Sequence, residues 1–228
     1  GAWRVAAVED HREVTGALAP RAAAAAVVER LERPRRGRLA AVGQVTLAGG
    51  RRFTALLDTG SGNLVVPSVH CRSRGCGGHR RFRPEDDDAG HLIATNASGE
   101  VQLAYAGARL AGNGFESRVC LSGACGRASF VVAAWESDAF AGLGFDAILG
   151  LGPRRQALAP GFSILGTLAE QGVLPSASFT LSLRSDGSST ATFGSAAVLA
   201  GPATWLLVDK RHGEWAVDLE DVLVDGVR

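Results

Sequence analysis

Short apolar runs, broken by glycine at close intervals, follow one another from Leu39 to the end of the chain. They are rich in Val, Leu and Phe, a texture typical of strands joined by turns. One helix is predicted among them, at 164–171, where Gly172 would end it. The predicted strands lie at 42–47, 52–57, 63–66, 101–105, 129–133, 147–149, 178–183, 190–193 and 215–224. This pattern predicts an all-β domain over residues 39–228, without the fixed-period repeat of a solenoid or propeller.

Residues 1–38 have a different composition from the rest. An alanine tract at 22–26 leads into alternating apolar and charged residues. Because alanine and leucine favour helix and proline stops it, we predict a short helix over residues 20–33, ended by Pro34. Three arginines then form a basic linker, at Arg35, Arg36 and Arg38. The sequence therefore divides into a basic helical segment, residues 1–38, and the β domain, residues 39–228.

The composition is that of an ordinary globular chain. Of its 228 residues, 46% are hydrophobic and 21% are charged, with a formal net charge of +1. A charge so close to zero points to no nucleic-acid or membrane-surface partner. No stretch approaches the roughly 18 apolar residues of a membrane span. The sequence has no methionine, so Gly1 is not expected to be a translation start, and a secretory signal would precede it.

The cysteines and one glycosylation tripeptide bear on the compartment. Four cysteines stand in two close pairs, Cys71 with Cys76 and Cys120 with Cys125. Even pairing of this kind favours disulfides and an oxidising compartment, and the second pair is spaced to close a hairpin. Asn96 begins an Asn-Ala-Ser acceptor for N-glycosylation. A secretory, extracellular or acidic lumenal location is expected.

One motif carries the chemistry. Residues 53–61 read Phe-Thr-Ala-Leu-Leu-Asp-Thr-Gly-Ser, which places the Asp58 carboxylate on a turn directly after an apolar strand. An acid at such a place is costly unless it is used or paired. With residues 62–68, Gly-Asn-Leu-Val-Val-Pro-Ser, the stretch closely resembles the active site of pepsin-like aspartic proteases. Residues 145–152, Phe-Asp-Ala-Ile-Leu-Gly-Leu-Gly, resemble a second landmark of that family.

The resemblance covers about residues 39–228 and implies the N-terminal lobe of a pepsin-like protease. Asp58 would be one of two catalytic aspartates. Thr59 would link the two lobes, Gly60 would permit close backbone approach, and Ser61 would donate a hydrogen bond to Asp58. Tyr105 falls where the family has its flap tyrosine. Cys71 and Cys76 match the small disulfide loop, and residues 1–38 would be either a basic pro-segment or a simple tether.

The sequence departs from the family at three places. No second Asp-Thr-Gly or Asp-Ser-Gly occurs, so the partner aspartate is missing from these residues. Val65 stands where the family has a tryptophan that hydrogen-bonds the flap tyrosine. Residues 105–108 read Tyr-Ala-Gly-Ala in place of Tyr-Gly-Thr-Gly. The resemblance therefore implies an aspartate pair of which this chain supplies one member.

Two functions follow. The first is an aspartic endopeptidase that is inactive as this single lobe and needs a second lobe from further residues, a separate chain or a second copy. The alternative is an inactive pepsin-like lobe that serves as a binding or assembly module. A peptide or protein is the expected substrate, and no cofactor, metal or nucleic acid is implied. His70 and His79 beside the first cysteine pair leave a zinc site as the weaker alternative to a disulfide.

Overall fold

The computed structural model describes most of the β domain and two short pieces before it. The described residues are 3–7, 27–31, 41–95, 99–105, 107–184, 186–194, 206–209, 211, 213–219 and 221. Twelve strands and one α-helix form in these ranges. The strands are β1 Trp3–Ala7, β2 Val27–Arg30, β3 Val42–Leu47, β4 Arg51–Asp58, β5 Leu64–Pro67, β6 His91–Ile93, β7 Glu100–Tyr105, β8 Ala108–Leu121, β9 Ala124–Glu136, β10 Ala147–Gly150, β11 Phe179–Leu183 and β12 Thr190–Phe193. The helix, α1, spans Ile164–Glu170. The prediction of a mostly β lobe with few helices is confirmed.

The strands form two sheets. The larger has eight strands in the order β3-β4-β10-β5-β9-β8-β6, with β7 added to β8. Because β3 also pairs with β8, this sheet closes on itself, and most of its strands have neighbours on both sides. The smaller sheet has the order β1-β11-β12-β2.

Side-chain alternation explains where the core lies. Along β4, Phe53, Ala55 and Leu57 are buried, while the residues between them are more exposed. This period of two is what a strand with one face inside a closed sheet requires. Phe82 and Phe130 pack edge to face inside the closed sheet, with ring centroids 5.4 Å apart. The core is therefore an aromatic cluster held within the larger sheet.

The predicted helix in the N-terminal segment is wrong where the structure describes it. Val27–Arg30 is the strand β2, which pairs with β12 along its whole length. Val27 and Val28 suit a strand, and backbone pairing with an available sheet edge outweighs the weak helix preference of their neighbours. The other predicted helical residues, 20–26 and 32–33, lie outside the described residues.

Two further differences concern strands. The predicted strand at 215–224 does not form at residues 215–219 or at 221, and its other residues lie outside the described ranges. Trp215 is instead tethered by its side chain, whose Nε1 donates to the Leu151 carbonyl at 2.8 Å. The long strand β8 was not predicted because Gly112 and Gly114 interrupt its pattern. A Cβ at Gly112 would lie 2.2 Å from the Val132 carbonyl oxygen, so the close approach of β9 requires glycine there.

Candidate active site

The Asp58 carboxylate lies at the last residue of β4, at the start of the predicted Thr-Gly turn. The Gly60 amide donates a hydrogen bond to Asp58 Oδ1 at 3.0 Å. Asp58 is half-buried, and both Thr59 and Gly60 are exposed. The turn therefore fixes one carboxylate oxygen and presents the group at the surface of the lobe.

The parallel strand β10 supports the Asp58 turn. β10 runs beside β4 with Gly150 opposite Asp58, and the Leu151 amide donates to the Asp58 carbonyl at 2.7 Å. The Gly152 amide donates to the Ser61 carbonyl at 2.7 Å. A Cβ at Gly150 would lie 2.4 Å from the Asn63 amide nitrogen, so glycine is needed for this approach. Backbone hydrogen bonds thus hold the turn on both sides of Asp58.

The carboxylate of Asp146 anchors β10 to β4. Asp146 Oδ2 accepts hydrogen bonds from the Thr54 amide at 3.1 Å and from Thr54 Oγ1 at 2.8 Å. Its Oδ1 accepts from the Arg80 amide at 2.8 Å. In return, the Asp146 amide donates to Thr54 Oγ1 at 3.0 Å. Asp146 is therefore a structural carboxylate that sets the register in which β10 reaches the Asp58 turn.

Tyr105 lies at the tip of the β7–β8 hairpin, opposite Ala108. Its ring packs edge to face on Phe140, with centroids 6.2 Å apart. Burial is the main cause that raises the pKa of the Tyr105 hydroxyl, and the nearby Asp58 charge raises it further. The hydroxyl is buried and has no hydrogen-bond partner among the described residues. Tyr105 therefore lines the same cleft as Asp58 and is held there by packing.

Val65, at the position of the family's tryptophan, belongs to the apolar cluster beneath Tyr105 and is 2% exposed. It offers no hydrogen-bond donor to the tyrosine. The hydrogen bond expected from Ser61 to Asp58 is also absent, because Ser61 Oγ is buried without a partner in the described part of the chain. Ser61 is near enough to lower the pKa of the Tyr105 hydroxyl, against the effect of burial. The hydroxyl groups of Ser61 and Tyr105 are thus both buried without a hydrogen-bond partner among the described residues.

An open cleft of about 720 Å³ lies over Asp58. Its walls are mostly apolar, which suits the side chains of an extended peptide. Of the residues lining it in the described ranges, Asp58 is the one carboxylate. Sequence reasoning missed the wall at Phe140 and Leu143, on and after the one-turn 3-10 helix Asp138–Phe140. The spacing of Phe140, Leu143 and Phe145 just before the Asp146 landmark could have indicated it.

Both predicted disulfides form. Cys71 bonds to Cys76 and Cys120 bonds to Cys125, the latter as directly opposed residues of the β8–β9 hairpin. The alternative zinc site is therefore excluded, since its two cysteines are joined to each other. Two bonded pairs fit an oxidising compartment.

Two features are absent from the described residues. No cluster of three or more His, Cys, Asp or Glu side chains able to hold a metal occurs in these ranges. None of the helices in the same ranges is long and apolar enough to cross a membrane. The proposed glycosylation site at Asn96 lies outside the described residues.

Comparison with known proteins gives a consistent result. The family profile named eukaryotic aspartyl protease matches residues 42–228. Pepsin A of Sus scrofa is 30% identical over 180 residues, which cover 76% of this chain and 46% of that protein. Gastricsin of Cavia porcellus is 32% identical over 197 residues, 81% of this chain and 48% of that protein. Cathepsin E of Oryctolagus cuniculus is 30% identical over 184 residues, 77% of this chain and 45% of that protein.

The chain spans about half the length of the curated relatives it matches. The matched region contains the whole closed sheet, the Asp58 turn and the β7–β8 hairpin. Profile, relatives and site geometry agree, and this chain belongs to the eukaryotic aspartyl protease family.

Proposed function

We propose that this chain is the first lobe of an aspartic endopeptidase, with Asp58 as one of two catalytic carboxyl groups. The observation that carries the proposal is the Asp58 turn, held by backbone hydrogen bonds on both sides and open to the cleft under Tyr105. The second aspartate comes from a second lobe, formed by residues beyond Arg228 or by a separate chain. Without that lobe, the 228 residues do not hydrolyse peptides.

The proposed chemistry is peptide hydrolysis by an activated water. As in aspartic proteases generally, two carboxyl groups this close cannot both be ionised, so the pair holds one proton. The ionised member accepts a proton from the water, and the protonated member donates to the oxygen of the scissile carbonyl. The Gly60 amide keeps one Asp58 oxygen fixed for this role. Thr59, exposed at the turn, is placed to contact the second lobe.

The test uses the protein extended past Arg228. It should cleave an unfolded protein at acidic pH, and Asp58→Asn should abolish cleavage. Asp86→Asn is the matched control, because Asp86 forms an exposed ion pair with Arg51 and does not line the cleft. Full cleavage by the Asp58→Asn protein would refute the assignment.

A binding or assembly module is the second candidate, and the altered flap favours it. Val65 cannot hydrogen-bond Tyr105, and the Tyr105 hydroxyl has no partner in the described ranges. The sequence following Arg228 distinguishes the two: an Asp-Thr-Gly or Asp-Ser-Gly there supports the enzyme, and its absence supports the module. A homodimer in which each copy gives one Asp58 is a third arrangement, which a monomer in sedimentation would exclude.

A further inference from the structure

Glu136 is a buried acid close to the tip of the β7–β8 hairpin, the proposed flap, and the proposed chemistry does not use it. It is the last residue of β9, opposite Leu110 of the flap strand β8, and only 5% exposed. Its amide donates to Ser73 Oγ at 2.9 Å. The next residue ties the same strand down, since the Ser137 amide donates to the Arg109 carbonyl at 2.9 Å. Glu136 thus lies where the pairing of β9 with the flap strand ends, close to the tip of the hairpin.

The surroundings of Glu136 compensate poorly for a negative charge. Burial raises the pKa of the Glu136 carboxyl group and outweighs the opposing effects of His79 and Arg81. Both of these basic side chains use N–H groups elsewhere. His79 Nε2 donates to the Phe140 carbonyl at 3.0 Å. Arg81 donates from Nε to the Cys76 carbonyl at 3.1 Å and from Nη1 to the Cys71 carbonyl at 3.0 Å. No described residue donates a side-chain hydrogen bond to the Glu136 carboxylate.

Glu136 and the flap tyrosine share one wall. Glu136, Val65, His79 and Phe140 line a cavity of about 10 Å³, and the Phe140 ring is the one on which Tyr105 packs. The charge of Glu136 reaches the Tyr105 hydroxyl and raises its pKa, as the charge of Asp58 does from the cleft side. Two carboxyl groups, Asp58 and Glu136, therefore both act on the Tyr105 hydroxyl.

Other charged groups around this cavity are already engaged. Asp146 lines the same cavity, and its carboxylate accepts hydrogen bonds from Thr54 and Arg80. Asp138 pairs with Arg74 at 3.6 Å. Arg109, beside Leu110 on β8, is exposed to solvent. Glu136 is the carboxyl group of this set that is both buried and without a hydrogen-bond donor.

We propose that Glu136 is a positioning residue that, in its neutral form, keeps the flap hairpin and Tyr105 packed over Asp58. The proposal deepens the proposed function, on which its catalytic meaning rests. An ionised Glu136 gains free energy by reaching water. Its contacts with β8, the strand that carries the flap, are among those that it would then loosen. The flap is then ordered in acid and loosened as the acid ionises.

The direction of the pH effect follows from linkage. A carboxyl group whose pKa is raised in the folded state stabilises that state below its unfolded pKa. This contribution is lost as the pH rises through the raised folded pKa. For Glu136, whose ordinary value is 4.5, the packed flap should be most stable in acid and should loosen above that value. An aspartic protease lobe built this way closes over its substrate only under acidic conditions.

Tyr105 provides a direct measurement, because it is the one tyrosine in the sequence. Protein labelled with ring-¹³C tyrosine gives a single flap signal, which can be followed against pH without any proteolysis. We expect a step in this signal where Glu136 ionises. Glu136→Gln should remove this step and fix the signal near its acidic position. Asp58→Asn should leave the step in place.

Two controls keep the test decisive. Glu85→Gln changes an exposed acid paired with His70, and the step should remain. In the wild-type protein, the Tyr105 step must share its midpoint with the Glu136 side-chain ¹³C resonance, a comparison that needs no variant. A step that persists in Glu136→Gln, or midpoints that differ, would overturn the proposal. If Glu136→Gln removes the step in the Tyr105 signal but the extended wild-type protein shows no proteolysis, the proposed function alone is refuted.

Discussion

Replacing Asp146 with alanine should destabilise the lobe far more than its half-exposed position suggests. Its carboxylate accepts three hydrogen bonds, two of them from backbone amides of Thr54 and Arg80 that no longer have a partner in the variant. Hydrogen bonds to a charged group contribute about 1.5 kcal/mol each at the low end. Allowing for the partial exposure of Asp146, we expect the free energy of unfolding to fall by about 3–4 kcal/mol.

Urea unfolding followed by tryptophan fluorescence measures this loss, with an unchanged m-value as the sign that only stability has changed. Asp86→Ala is the matched control, because it breaks an exposed ion pair with Arg51 and should cost at most about 1 kcal/mol. Thr54→Val tests the mechanism: combined with Asp146→Ala, it should cost clearly less than the sum of the two single changes. The reasoning is refuted if Asp146→Ala is no more destabilising than Asp86→Ala.

Three other changes probe the core, the disulfide loop and the support of the turn by unfolding measurements. Phe130→Ala, at 0% exposure, should cost about 3–5 kcal/mol; a cost below about 1 kcal/mol would contradict the aromatic core. Replacing Cys71 and Cys76 by serine opens a loop of sequence separation 5 and should lower the free energy of unfolding by about 2 kcal/mol through loop entropy. An unchanged free energy of unfolding would contradict this expectation. Gly150→Ala should cost about 1–3 kcal/mol, since the new Cβ meets backbone; an unchanged midpoint would argue against the tight approach.

The sequence predicts well the parts of the fold whose information is local. Strand β4 is predicted by the alternation of Phe53, Ala55 and Leu57, and the short helix α1 ends at Glu170, shortly before the glycine expected to end it. The Asp58 turn follows from a motif of consecutive residues. The close spacing of each cysteine pair favours the disulfides that form, and the family resemblance adds the pairing of Cys71 with Cys76.

What the sequence hides depends on partners distant in the chain. The segment at Val27–Arg30 has helical neighbours, yet β12 supplies a sheet edge that only the fold brings near it. Glu136 stands in a run, Glu-Ser-Asp, that looks like a solvated turn. Its burial arises because β8, the small disulfide loop and Phe140 close around it. No local pattern could have revealed that.

The pairing of β2 has a consequence for any maturation of this chain. Four residue pairs join β2 to β12, the Leu31 amide donates to the Ser189 carbonyl at 3.0 Å, and Leu31 is buried in the main core at 7% exposure. Cutting the arginine-rich stretch after it would break one covalent bond and leave every one of these contacts intact. A nicked molecule would therefore migrate as two fragments under denaturing conditions and as one particle under native ones.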